Sequence, residues 1–318
     1  MRVILNKVVR HLTRTFTFFL PEERRIAIER RQRGREEARK LRLADGVIVS
    51  FGKSGRTWLR VMLSRFYQVR HGLPGHVLMG FDNLHRKNAE IPRLLFTHDN
   101  YLKDFTGHAD TKEDYLGKKV VLLVRHPADV AVSQFYQWKH RMRPHKKVLN
   151  AYPPHGADVG AFEFVMGAAA GLPKIIAFMN LWAQEAERLK TLLVVRYEDL
   201  KAETEKVLER VVSFLGTPGT PEQIKDAVAF ASFENMKKME ARRTFWLSGS
   251  RMVPKDRKNP HSFKVRKGKV GGFRDEFTPE QIATIESFIA DNLDPFFGYV
   301  EKSPCEAVPG RQGEESGA

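Results

Sequence analysis

From residue 46 onward the chain alternates short, continuously apolar runs with stretches of helical periodicity, and this alternation constrains the fold more than any other feature. The strand candidates are 46–51 (GVIVSF), 93–97 (RLLFT), 119–125 (KVVLLVR) and 191–197 (TLLVVRY). Helical patterns fall at roughly 56–70, 128–140, 174–190 and 202–215, the last stopped by Gly216 and Pro218. Strands that are apolar on both faces need cover on both faces. The expectation is a single α/β domain with a central parallel sheet flanked by helices. Ligands of such sheets collect beyond the carboxyl ends of the strands, so Lys53, His98, Arg125 and Tyr197 are expected along one rim.

The first strand runs into Gly52-Lys53-Ser54-Gly55 and then into a helix expected to begin near Thr57. Backbone N–H groups at a helix start have no internal partners, so this turn is an anion cradle. With Lys53 supplying charge and Ser54 and Thr57 as donors, it suits a 5′-phosphate. It is not a nucleoside-triphosphate loop of the form G-x-x-x-x-G-K-[ST], because position 47 is Val47 and Gly46 comes one residue too early. No apolar strand ends in an Asp that would hold Mg²⁺, which further disfavours a P-loop kinase using ATP.

Two more basic clusters follow. Residues 119–138 place Arg125 at a strand end and Ser133 on the second turn of the next helix; residues 262–278 gather Arg266, Lys267 and Gly268 in a compact cationic turn. A lone basic cluster is ordinarily a solvated face. Three of them, each at a strand end or a glycine turn, point to a ligand with two separate phosphate positions. A net charge of +16 agrees with an acidic partner. A nucleic-acid-binding protein is the competing class, but its basic groups would form a stripe interleaved with aromatics, which is not the arrangement here.

As a set these motifs resemble the cytosolic-type sulfotransferases that use 3′-phosphoadenosine 5′-phosphosulfate (PAPS) and release 3′,5′-adenosine bisphosphate (PAP). The resemblance begins at Gly52-Lys53-Ser54-Gly55-Arg56-Thr57-Trp58 and continues through Arg125-His126-Pro127 to Ser133, then Tyr197-Glu198-Asp199-Leu200. It takes in Ser232-Phe233-Glu234-Asn235-Met236-Lys237 and closes with Arg266-Lys267-Gly268, followed by Gly271-Gly272-Phe273, over roughly residues 46–290. It implies that Lys53, Ser54, Gly55, Arg56 and Thr57 surround the 5′-phosphosulfate. By the same resemblance Arg125, Ser133, Arg266, Lys267 and Gly268 take the 3′-phosphate, and Trp58, Tyr197 and Phe233 surround the adenine. His98, in LLFTHDNY, falls where the family carries its catalytic base; Lys53 is the candidate cation for the leaving oxygen, and the resemblance implies that Ser133 restrains the Lys53 amine. An imidazole pKa near about 6.5 suits a general base, and no metal is required. Arg56 replaces a threonine, Gly52 a proline and Ala231 a threonine; the segment 274–283 lacks two residues of the family's dimer motif, which leaves the oligomeric state open.

The flanks and acceptor loops follow other rules. In residues 1–20 Ile4, Leu5, Val8, Val9, Leu12, Phe16 and Phe19 share one helical face, opposite Arg2, Lys7, Arg10 and Arg14, with Phe18 the main exception. A basic amphipathic helix of this kind can rest on a membrane interface. Residues 22–42 read as a solvated helix or linker, giving expected units of 1–45, 46–301 and a disordered tail, 302–318. One cysteine, Cys305, and no signal peptide point to a cytoplasmic setting, at most at the inner face of a membrane. Residues 71–92 and 141–173 are expected to line the acceptor side of the cleft. There Arg141, Arg143, Lys146 and Lys147 favour an anionic, glycan-like or lipid-linked acceptor whose hydroxyl or amine takes the sulfuryl group.

Overall fold

The computed structural model describes residues 15–245, 252–256 and 258–301. Most of the amphipathic segment read over residues 1–20, and the tail 302–318, lie outside the described residues. Four parallel strands, β1 (Gly46–Val49), β2 (Leu94–Thr97), β3 (Val120–Val124) and β4 (Leu192–Arg196), pair in the order β2-β1-β3-β4. Each lies within its expected run. The register pairs Val47 with Leu95 on one side and with Val120 on the other, and Val120 in turn with Leu192.

Alternation along the strands divides the core in two. Val47, Val49, Val120, Leu122 and Val124 face one layer, formed with α1 (Glu22–Leu43), α3 (Pro127–His140), α4 (Leu172–Gln184) and α8 (Pro279–Asn292). Ile48, Val121 and Leu123 face the other, formed with α2 (Arg56–Arg70), α5 (Thr204–Phe214), α6 (Pro221–Phe230) and α7 (Phe233–Arg242). The central strands β1 and β3 are buried throughout. Each such aliphatic side chain contributes roughly 1.5–3 kcal/mol, so the strand register is fixed from both faces.

Three expectations need adjusting. α1 is helical as expected, but it is solvated only on its outer face: Glu29, Gly34, Ala38 and Leu41 are buried. A Cβ on Gly34 would lie 2.2 Å from the Tyr101 carbonyl oxygen, so α1 is packed directly on the segment after β2. The helix expected over 174–190 ends at Gln184 and gives way to a single tight turn at Ala186–Arg188, and that over 202–215 begins at Thr204 after a separate turn, Tyr197–Ala202. Residues 71–92 do not wall the cavity; Leu78, Met79, Leu84 and Ile91 are instead buried against α2 in the second core layer.

The chain passes from β1 to β2 on one side and returns past β1 to β3 on the other. Loops leaving β1 and β3 therefore diverge from a switch point and open a crevice at their carboxyl ends.

Candidate active site

That crevice is a cavity of about 970 Å³. Every residue expected at the donor lines it except Ser54, which is buried; of the basic residues expected on the acceptor side, Lys146 lines it and Arg141, Arg143 and Lys147 do not.

The loop after β1 is bent by two left-handed residues. Lys53 has φ 77°, a conformation costing a non-glycine residue roughly 1–3 kcal/mol, and Gly55 has φ 93°. Gly55 is also the residue preceding α2, where it leaves the helix without a side-chain cap, so the first-turn N–H groups face the cavity unclaimed by a side chain. A Cβ there would meet the Tyr197 ring at 2.7 Å. The Lys53 ammonium is stripped of water and crowded by Arg141, Arg125 and Arg266, which brings its pKa from 10.5 down to about 7 despite Glu240.

The turn at 266–273 is held over β3 by a carboxylate that the sequence reading passed over. Asp129, in the first turn of α3, accepts from the backbone N–H of Gly271 (2.9 Å) and Phe273 (3.0 Å) and pairs with Arg125 at 3.0 Å. Arg125 also donates to the Lys269 carbonyl at 2.8 Å and lies over the Tyr197 ring. Upstream, Glu240 accepts from the backbone N–H of Lys264 (2.7 Å) and Val265 (3.0 Å) and pairs with Arg141 at 3.2 Å. Arg141 is thus an internal clamp rather than an acceptor-facing cation, and Lys147 is buried over the Trp138 ring. Arg266 and Lys267 both donate to Glu276, at 3.0 and 2.8 Å; burial pulls its carboxyl up, but Lys267, the Tyr136 hydroxyl and Arg266 together bring it to about 2.

Between the two basic turns lies an aromatic slot. Trp58 packs edge-on against Tyr197 with ring centroids 5.9 Å apart, and its indole N–H donates to the Ala231 carbonyl at 2.9 Å. Residue 231 therefore contributes to the slot through its backbone. Phe233 opens α7, and a Cβ on Gly268 (φ 61°) would touch its ring at 3.0 Å. Close approach of the cationic turn to this ring thus requires a glycine.

His98 follows β2. Its Nδ1 lies 2.7 Å from the Ser50 carbonyl oxygen, and its Nε2 lies 2.5 Å from Nη2 of Arg56. A carbonyl only accepts, so Nδ1 carries the hydrogen and Nε2 the lone pair. Burial, then Arg56, keeps the imidazole pKa well below 6.5. Arg56, expected beside the donor, lines the cavity, and its guanidinium here lies against the histidine. Beneath it, Glu37 of α1 accepts from the Thr97 hydroxyl, and burial raises its carboxyl to about 7. Lys264, also missed, lines the same cavity; desolvation and the charges of Lys53, Arg141 and Arg56 hold its pKa well below 10.5.

The far wall comes from Arg30 of α1, residues 98–112, Lys146 to Tyr152 and α4. Ser133 projects from the second turn of α3 into the space between these walls. Among the described residues no group of three or more His, Cys, Asp or Glu is arranged to hold a metal ion.

Comparison with known proteins gives the same grouping. The profile of the Sulfotransferase domain matches residues 43–297. Cytosolic sulfotransferase 7 of Arabidopsis thaliana is 27% identical over 276 residues, covering 79% of this chain and 79% of its own length. Flavonol 3-sulfotransferase of Flaveria bidentis is 24% identical over 269 residues, covering 78% and 81%. In structure, a mouse sulfotransferase, SULT7A1, solved in complex with PAP superposes with a TM-score of 0.52 at 21% identity, over 83% of this chain and 92% of its own. At that identity the likeness is one of fold.

Proposed function

This chain belongs to the sulfotransferase domain family and is a sulfotransferase, and from that premise we propose that it moves the sulfuryl group of PAPS to a hydroxyl or amine of an anionic, glycan- or lipid-linked acceptor. The observation that carries the donor assignment is the convergence on one cavity of the Lys53 turn, the Arg266-Lys267-Gly268 turn and the aromatic slot between them. Two cationic positions separated by stacking surfaces fit a nucleotide phosphorylated at both its 3′ and 5′ ends.

PAPS would supply an activated sulfuryl group: a bond forms from the acceptor atom to sulfur, the sulfur–phosphate oxygen bond breaks, and PAP leaves. The chain's part is positioning and charge. Lys53, the α2 N–H groups and Thr57 hold the 5′ end. Lys53 donates to the bridging oxygen as it gains charge, stabilising the transition state over the ground state. Arg125, Ser133, Arg266, Lys267 and Gly268 hold the 3′-phosphate, which must share Arg266 and Lys267 with Glu276. Trp58, Tyr197 and Phe233 hold the adenine. His98 Nε2 receives the acceptor's proton, and Ser133 restrains the Lys53 amine until an acceptor arrives.

The acceptor class is supported by the far wall. Arg30, Lys103, Lys146 and Lys174 line it, and none is used for the donor. Burial, then Arg30 and Lys103, bring the Lys174 pKa down to about 8. Asp99 and Asp110 share this wall and Arg30 is paired with Asp104, and the remaining surplus of positive charge favours an acceptor that brings negative charge. Peripheral membrane contact through residues 1–20 belongs to the same reading: Phe16, Phe18 and Phe19 are each at least 70% exposed. Among the described residues no helix is long and apolar enough to cross a membrane.

The test is a screen with ³⁵S-labelled PAPS, using His98→Ala as the blank. Charged glycans and glycolipids are expected to outcompete neutral phenols and steroids. A preference for neutral phenols would overturn the acceptor class; ATP-dependent phosphorylation without sulfate transfer would overturn the donor.

A further inference from the structure

A base whose lone pair is already engaged cannot take a proton, and His98 is held in that condition. Its Nδ1 is committed to the Ser50 carbonyl at 2.7 Å and its Nε2 to Arg56 at 2.5 Å. A guanidinium has only donors, so this contact uses the one ring nitrogen able to accept the acceptor's proton. Arg56 is the first residue of α2, three positions from Lys53. Its backbone therefore sits in the cradle proposed for the 5′-phosphosulfate while its side chain reaches the base.

The other charges around His98 are arranged to favour transfer of the guanidinium from the base to that cradle. Arg60 of α2 and Lys264 lie near enough to oppose a positive charge on His98, and Glu37 of α1 lies within the influence of Arg56. Asp99, next in sequence, is taken by Lys112 at 2.7 Å and Tyr115 at 2.8 Å, so it is already committed elsewhere. An incoming sulfonate is a stronger attractor for a guanidinium than a neutral imidazole is, because the hydrogen bond becomes charge-assisted on both sides.

We propose that Arg56 is an interlock: its guanidinium caps Nε2 of His98 and is drawn off by the sulfonate of the donor, so that the base is released only when a transferable group is in place. This rests on the donor reading above and adds a positioning residue to it. PAP, which lacks the sulfonate, leaves the cap on. The arrangement disarms the base in protein holding spent nucleotide, where proton abstraction has no use.

Two measurements on the full chain test it. In the first, binding of PAPS and of PAP, without acceptor, is followed by rapid-mixing fluorescence of Trp58 and the other tryptophans in wild-type, Arg56→Thr and Arg56→Lys protein. Arg56→Thr is expected to weaken PAPS by about tenfold more than PAP, the loss of one charge-assisted hydrogen bond made to the sulfonate alone. Retained PAP binding reports that the variants are folded. Equal losses for PAPS and PAP would assign Arg56 to the shared 5′-phosphate and overturn the interlock. In the second, diethyl pyrocarbonate modification of His98 in nucleotide-free protein is followed by peptide mass spectrometry. Arg56→Thr is expected to accelerate it by about tenfold, because Nε2 loses its donor; an unchanged rate overturns the cap. Wild-type protein that binds neither nucleotide would remove the donor reading itself, and the interlock with it.

Discussion

At Lys53 the cavity strips water from an ammonium already crowded by arginines, and the pKa falls to about 7. At about pH 8 this amine is therefore mostly neutral in ligand-free protein. An anion placed beside it restores the ammonium, so binding of PAP is expected to take up a proton from solvent. Calorimetric titrations in buffers of differing ionisation enthalpy measure this directly; a binding enthalpy independent of buffer would contradict it. The same shift acts on stability. Between about 7 and 10.5 the unfolded chain holds more protons on this group than the folded one, so ligand-free protein gains stability as pH rises through that window. Lys174, brought down to about 8, adds in the same direction, whereas Glu37 exerts its effect below about 7. The thermal midpoint is expected to rise from pH 7 to pH 9, and saturating PAP to flatten the rise. At His98, replacement by alanine is expected to lower kcat by roughly 10²–10⁴-fold, the usual share of a general base, while PAP affinity is retained. Loss of PAP binding in that variant would make His98 a structural residue.

At the scale of elements, the donor side is a set of loops pinned by carboxylates. Asp129 holds the 266–273 turn by two backbone N–H groups and orients Arg125 as well. Asp129→Ala leaves three donors without this partner, and PAP affinity is expected to fall by roughly tenfold or more, with a stability loss of about 1–3 kcal/mol. Titration and thermal melting check both; unchanged PAP affinity would show that the turn is held by other contacts. Gly55→Ala meets the Tyr197 ring and a left-handed φ together, so it is expected to destabilise by roughly 1–3 kcal/mol and to displace the adenine slot. What the sequence revealed at this scale follows from locality. β1 and β3 were legible because Val-rich runs with both faces apolar have few other uses, and the basic turns because glycine and charge sit together in the chain. The contact of Arg56 with His98 was not legible, since the direction of a side chain at a helix start depends on what packs opposite it. Glu240, Glu37 and Lys264 went unread because their roles exist only across pairs distant in sequence: Glu240 with Arg141, Glu37 with Thr97, Lys264 with Lys53.

At the scale of the whole molecule, the charge of +16 is concentrated where it can act. One part surrounds the proposed nucleotide, a second lines the acceptor wall, and a third lies along α1, where Arg24, Arg25, Arg31, Arg35 and Arg39 accompany the exposed Phe16, Phe18 and Phe19. Sedimentation with anionic liposomes is expected, with loss of most binding on deletion of residues 1–20; binding unchanged by the deletion would remove the membrane contact. The claim on which the rest depends is that one cavity reads a nucleotide at both of its phosphates. Isothermal titration of the full chain with PAP and with adenosine 5′-phosphate tests it most directly. The account predicts one PAP per chain and binding of adenosine 5′-phosphate weaker by about 100-fold, a gap narrowed in Lys267→Ala, because charge-assisted contacts to the 3′-phosphate are lost. Adenosine 5′-phosphate or ATP binding as tightly as PAP would contradict it.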